Sequence, residues 1–132
     1  MSTEARWNAD SGASACEVRF AQAQWPVDLD VEAGGTGLPA PHDLLDAALA
    51  ACTTLTLQLY LKRKGWAVQQ LRVDVQHAKG ERGYAMARTI HIVGALEAEQ
   101  QAALLRIADA CPVHKTLSGD IAIETRSEVQ PG

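Results

Sequence analysis

Basic charge is scarce in this 132-residue chain: Lys and Arg number 12 against 16 Asp and Glu, leaving a formal net charge of −4. Binding to phosphates needs a clustered basic face, so nucleic acid is excluded as the main partner. The one basic run, Lys62-Arg63-Lys64, falls where a helix would end and there complements the helix dipole. Aromatic bulk is also short, with 3 Trp, 2 Tyr and 1 Phe, so Leu, Val, Ile and Ala must fill the core. The longest apolar-leaning stretch, Leu44 to Leu61, is interrupted by Asp46, Thr53, Thr54, Thr56 and Gln58. It reads as a buried helix rather than a membrane span. The opening MSTEARWNAD lacks the basic-then-apolar order of a secretory leader, which predicts a cytoplasmic protein with no membrane partner. There are 3 cysteines, an odd number that makes a poor disulfide framework. In a reducing compartment they are expected to be free, reactive or transiently bonded.

What is present specifies one domain over residues 1–132, of α+β class. Cys16, Val18 and Phe20 alternate with Glu17 and Arg19, and Trp25, Val27, Leu29 and Val31 alternate with Pro26, Asp28 and Asp30. Both runs predict strands, preceded by an opening strand near Trp7 and a turn around Asp10-Ser11-Gly12. Gly34-Gly35-Thr36-Gly37 lacks the Lys-Ser/Thr ending of a phosphate loop and is read as a turn. Pro41 suits a first helical position, Asp43 places a carboxylate in the first turn, and Gly65 follows the basic run as a stop. Leu44, Leu45, Ala48, Leu49, Cys52, Leu55, Thr56 and Leu59 recur at helical spacing between them. The spacing predicts a helix from Pro41 to about Lys64, roughly 35 Å long. After Gly65 the period becomes two. Leu71, Val73 and Val75 share a strand face, Lys79 to Gly83 reads as a hairpin connection, and Tyr84 to Val93 returns as a second strand. Glu97 to Ala110 is helical, with Ala103, Leu104, Ile107, Ala108 and Cys111 on one face. Pro112 ends that helix or begins a new one. Ile121, Ile123 and Thr125 are expected to form a last strand.

Any chemistry belongs to Cys52 and Cys111. Cys52 lies mid-helix on an apolar face, where a cysteine can equally be a small buried hydrophobe. Cys111 precedes Pro112, at the end of one helix and the N-cap of the next turn, where unpaired backbone N–H groups favour thiolate. His114, three residues on, offers a positive charge or a proton relay. Cys16 shares its strand face with Val18 and Phe20 and reads as core. Cys111-x-x-His114 is half of a zinc pattern, but His42, His77 and His91 are not spaced to complete it, so no metal is expected.

Two segments carry a resemblance. Pro41-His42-Asp43-Leu44-Leu45, followed by Ala47-Ala48-Leu49-Ala50-Ala51-Cys52, is similar to the Pro-x-Glu-Leu-Leu helix ending in Ala-x-Cys of the OsmC/Ohr superfamily of thiol-dependent hydroperoxide reductases. Cys111-Pro112-Val113-His114-Lys115-Thr116-Leu117 resembles the Cys-Pro-x-His segment of one branch. The resemblance runs from Gly34 to Val129. It implies an intertwined homodimer of antiparallel sheets with the two cysteine-bearing helices of each subunit at the centre. It further implies that Cys52 is the peroxidatic thiol and Cys111 the resolving one, with an organic hydroperoxide as substrate, an external dithiol as reductant and no cofactor. Leu45, Leu49 and Leu55 would line an apolar pocket.

The organic-hydroperoxide branch activates its peroxidatic cysteine with an arginine from the first hairpin, held by a glutamate ten residues before the cysteine. Here that position is His42, with the acid displaced to Asp43, and only Arg6 and Arg19 flank the hairpin near Asp10 to Ser14. A second reading follows: a non-catalytic redox-sensing or apolar-ligand-binding module on the same scaffold.

Overall fold

The computed structural model describes residues 2–132, whose regular elements occur in the order β1 (Thr3–Arg6), β2 (Cys16–Phe20), β3 (Ala23–Val27), α1 (Pro41–Lys64), β4 (Val68–Gly80), β5 (Gly83–Gly94), α2 (Ala98–Asp109) and α3 (Pro112–Ser118). The α+β class is as expected, and α1 has the bounds that its proline start and basic end predict. The chain forms two compact units, the first from residues up to Ala50 with Asp74–Thr89, the second from Ala51–Val73 with Ile90–Gly132.

In the first unit β1, β2 and β3 make an antiparallel meander, with Ala5 opposite Val18, Val18 opposite Trp25 and Cys16 opposite Val27. Val18 and Val27 are buried. Asp28 follows β3 and organises the loop beyond it. Its carboxylate accepts from the Ser14 hydroxyl (2.7 Å), the Leu29 N–H (2.8 Å), the Thr36 N–H (3.0 Å) and the Thr36 hydroxyl (2.7 Å). These donors, Ser14 foremost, hold its pKa down at about 2. Gly35 is required in this loop because a Cβ there would lie 1.7 Å from the Leu29 carbonyl oxygen.

The second unit has the larger apolar core. Leu57 and Leu61 of α1 meet Leu104 and Ala108 of α2, with Tyr60, Trp66, Ile90 and Ile92 packed against them. Helix α2 starts on a capping box in which Gln100 Oε1 accepts from the Glu97 N–H at 2.7 Å. Its predicted face is the buried one, with Ala103, Leu104 and Ala108 inside. The β4–β5 hairpin, turning at Glu81 and Arg82, contributes residues to both units.

Three expectations need correction. Ile121, Ile123 and Thr125 form no strand: among the described residues nothing pairs with this segment, and Ile121 and Ile123 are exposed. Alternation shows that a segment has two faces, whereas a strand also needs a neighbouring backbone. Leu29 and Val31 lie outside β3, because the Leu29 N–H turns to the Asp28 carboxylate and a 3₁₀ turn forms at Val31–Ala33. Helix α1 is only partly buried in the single chain. Leu49, Thr53, Leu57 and Leu61, spaced by four, form its buried stripe, while Leu45, Leu55 and Leu59 are exposed. Among the described residues α1 is also the one helix long and apolar enough, by length and composition, to cross a membrane.

Candidate functional site

Cys111 occupies the joint between two helices. Its N–H donates to Ala108 O (3.2 Å), finishing α2, and its carbonyl accepts from the Lys115 N–H (3.2 Å), beginning α3. Pro112 fits the first position of α3, where a missing N–H costs nothing. The thiol itself caps α3: Sγ accepts from the His114 N–H at 3.3 Å. His114 therefore serves the sulfur through its backbone. Cys111 is wholly buried.

The same sulfur lies 3.7 Å from the Thr53 hydroxyl, and Thr53 is wholly buried as well. Thr53 directly follows Cys52, which is half-buried on α1. Thus two segments 58 residues apart meet within the second unit at the residue next to Cys52. None of the three cysteines is in a disulfide. The sulfur therefore has a backbone N–H at the start of α3 and a hydroxyl of α1 within reach. Cys16 lies in β2, as its strand alternation predicts, but is half-buried at the strand start rather than in the core.

His42 and Asp43 belong to the first unit. Asp43 Oδ2 accepts from the Ala40 N–H (2.9 Å) and so caps the start of α1. His42 stacks on Tyr84, with ring centroids 5.0 Å apart, and Tyr84 stacks on His77 at 5.3 Å. His77 Nδ1 is paired with Asp46 Oδ2. Partial burial and then the Asp46 carboxylate push the Tyr84 pKa upward. Sequence reasoning missed Asp46, His77 and Tyr84 as a group. The available signal was a histidine on the half-buried face of β4, in line with Leu71, Val73 and Val75, together with an aspartate inside an apolar helix run. Asp43, Asp46 and His77 are also the described residues that could hold a metal ion.

The arginines that flank the first hairpin have partners on the meander. Arg6 pairs with Glu4 at 3.1 Å, and Arg19 Nε donates to Gln24 Oε1 at 3.3 Å.

The family model for OsmC-like proteins matches residues 34–126. The chain belongs to the OsmC-like family. Solved structures agree in fold. A Psychrobacter arcticus protein, described as an osmotic-stress-induced and detoxification-response protein, superposes with a TM-score of 0.73 at 18% identity, over 88% of this chain and 87% of that one. An organic hydroperoxide resistance protein OsmC from Legionella pneumophila gives 0.67 at 19% identity, over 89% and 88%. An organic hydroperoxide resistance protein from Vibrio cholerae, with captopril bound in one of its active sites, gives 0.65 at 22% identity, over 91% and 86%. At these identities the likeness is one of fold. No curated protein matches the chain.

Proposed function

We propose that this OsmC-like protein is a thiol-dependent oxidoreductase that reduces organic hydroperoxides, with Cys52 as peroxidatic and Cys111 as resolving cysteine. The observation that carries the reading is the 3.7 Å contact between Cys111 Sγ and Thr53, the residue next to Cys52, with neither cysteine in a disulfide. The names of the Legionella and Vibrio relatives support a role in oxidative stress. In the cycle, the Cys52 thiolate attacks the terminal peroxide oxygen and the O–O bond breaks. The alkoxide takes a proton and leaves as alcohol, and Cys52 becomes a sulfenic acid. The Cys111 sulfur then attacks the sulfenic sulfur, forming the Cys52–Cys111 disulfide and releasing water. An external dithiol restores both thiols by exchange and leaves as its own disulfide. Cytoplasmic location fits the dithiol requirement. The exposed Leu45, Leu55 and Leu59 of α1, and Ile121 and Ile123 beyond α3, support the homodimer; Leu49, expected beside Leu45 and Leu55 in the apolar pocket, is buried within the chain instead.

The second reading, a non-catalytic redox-sensing or apolar-ligand-binding module, draws on the engagement of Arg6 and Arg19 by Glu4 and Gln24. One assay separates the two. Cumene hydroperoxide should be consumed in the presence of dihydrolipoamide, and Cys52→Ser should abolish consumption. Wild-type protein inert with both dihydrolipoamide and dithiothreitol selects the second reading.

A further inference from the structure

At the start of α1, in the first unit, three side chains able to ligate a metal converge outside the cysteine pair. Asp43, Asp46 and His77 each bring one ligand atom to within 4.8 Å of the others. The aspartates are three residues apart, so they share one helix face, and His77 reaches them from β4. Asp46 is the pivot: Oδ2 contacts His77 Nδ1, while Oδ1 is buried without a hydrogen-bond partner. The whole Asp46 side chain is only 14% exposed. The Tyr84 hydroxyl is hydrogen-bonded to the Asp46 carboxylate and feels its charge, while the Oδ1 atom itself has no partner. A desolvated carboxylate oxygen without a donor is costly, and a cation relieves that cost. Asp43 uses Oδ2 on the Ala40 N–H, which leaves its Oδ1 for a ligand, and Asp43 is exposed, which gives an ion a route in. The His77 ring is already fixed by its stack on Tyr84.

We propose that Asp43, Asp46 and His77 form a binding site for a divalent transition-metal ion of the Zn²⁺ class. Two carboxylate oxygens and one imidazole nitrogen make a three-ligand set that leaves a fourth tetrahedral position open. The imidazole favours zinc and its neighbours over Mg²⁺ or Ca²⁺, which prefer all-oxygen sites. On binding, the Asp46–His77 contact opens and each donor instead lies about 2.0–2.2 Å from the ion. His77 must be neutral to ligate, so any proton on its ring is released. The site is built from residues other than the cysteines and stands independently of the peroxidase reading.

The test is calorimetric titration of the full chain with Zn²⁺, in wild type and in a Cys16→Ser/Cys52→Ser/Cys111→Ser variant that removes thiol ligands. Zinc should bind stoichiometrically in both. Asp46→Asn and His77→Gln, placed in the cysteine-free background and checked for fold by circular dichroism, should each weaken binding by about tenfold or more, a loss seen even for outer-shell partners. Should these variants fail to fold, Co²⁺ added to the wild type decides: paramagnetic broadening should reach the His77 ring resonances before those of His91 and His114. Zinc binding lost with the thiols, an affinity unchanged by Asp46→Asn in folded protein, or broadening spread evenly over the histidines would overturn the proposal.

Discussion

The Thr53 hydroxyl lies 3.7 Å from Cys111 Sγ, and both residues are wholly buried. A buried polar pair of this kind carries a net stabilisation of about 1 kcal/mol and also sets the electrostatics of the sulfur. Thr53→Val keeps the shape and removes the hydroxyl. It should cost about 1–2 kcal/mol in urea unfolding. It should also slow disulfide formation after peroxide addition, while the Cys52→Ser variant forms no Cys52–Cys111 bond at all. Unchanged stability together with an unchanged rate of closure would show that the contact does neither.

Leu57 and Leu104 are the largest wholly buried aliphatic side chains and meet in the second unit's core. Leu57→Ala should destabilise by about 2–5 kcal/mol, combining lost transfer energy with a residual cavity. Leu59→Ala, on the exposed side of the same helix, should cost far less in the monomer. Denaturant midpoints of the pair, measured across protein concentration, check this and reveal whether Leu59 matters only when chains associate.

Acid stability should depend on Asp28. Its folded-state pKa of about 2 lies below the ordinary 3.8, so the folded protein binds this proton more weakly than the unfolded chain. The contribution is therefore complete above the unfolded value and is lost as pH falls from about 4 to about 2. Asp28→Asn should lower the melting temperature near neutrality and flatten its dependence on pH across that window. Equal melting-temperature losses on acidification in both proteins would contradict the assignment.

Tyr84 should behave in the opposite sense at high pH. Its folded-state pKa is raised above 10.0, so the folded protein holds the phenolic proton more tightly, and this stabilisation fades as pH rises through the folded value. A spectrophotometric tyrosine titration should show one late-ionising group that disappears in Tyr84→Phe. Asp46→Asn should move that group back toward the ordinary value, since the Asp46 carboxylate is one of its causes.

Much of this architecture was legible from local chemistry. Helix α1 declared both its ends, through Pro41 and Asp43 at one and the basic run and Gly65 at the other. The N-cap position of Cys111 followed from Pro112 behind it. The illegible parts depend on partners distant in sequence. Ile121 and Ile123 alternate like a strand, but no rule of alternation supplies the backbone that a strand must pair with. Leu29 and Val31 continue the alternation of β3, yet the Asp28 carboxylate captures the Leu29 N–H and ends the strand. Asp46 and His77 are 31 residues apart, and a search by cysteine–histidine spacing passes over a carboxylate–imidazole pair. The meeting of Thr53 with Cys111 spans 58 residues and emerges only from packing α1 against the α2–α3 joint.

Whether Cys52 and Cys111 act as a peroxidatic and resolving pair is decided by intact-protein mass spectrometry after one equivalent of cumene hydroperoxide. Such a pair loses two hydrogens, mapped by peptide digestion to a Cys52–Cys111 disulfide and reversed by dihydrolipoamide. Added oxygen accumulating on Cys52 alone, with Cys111 still a free thiol, would contradict it.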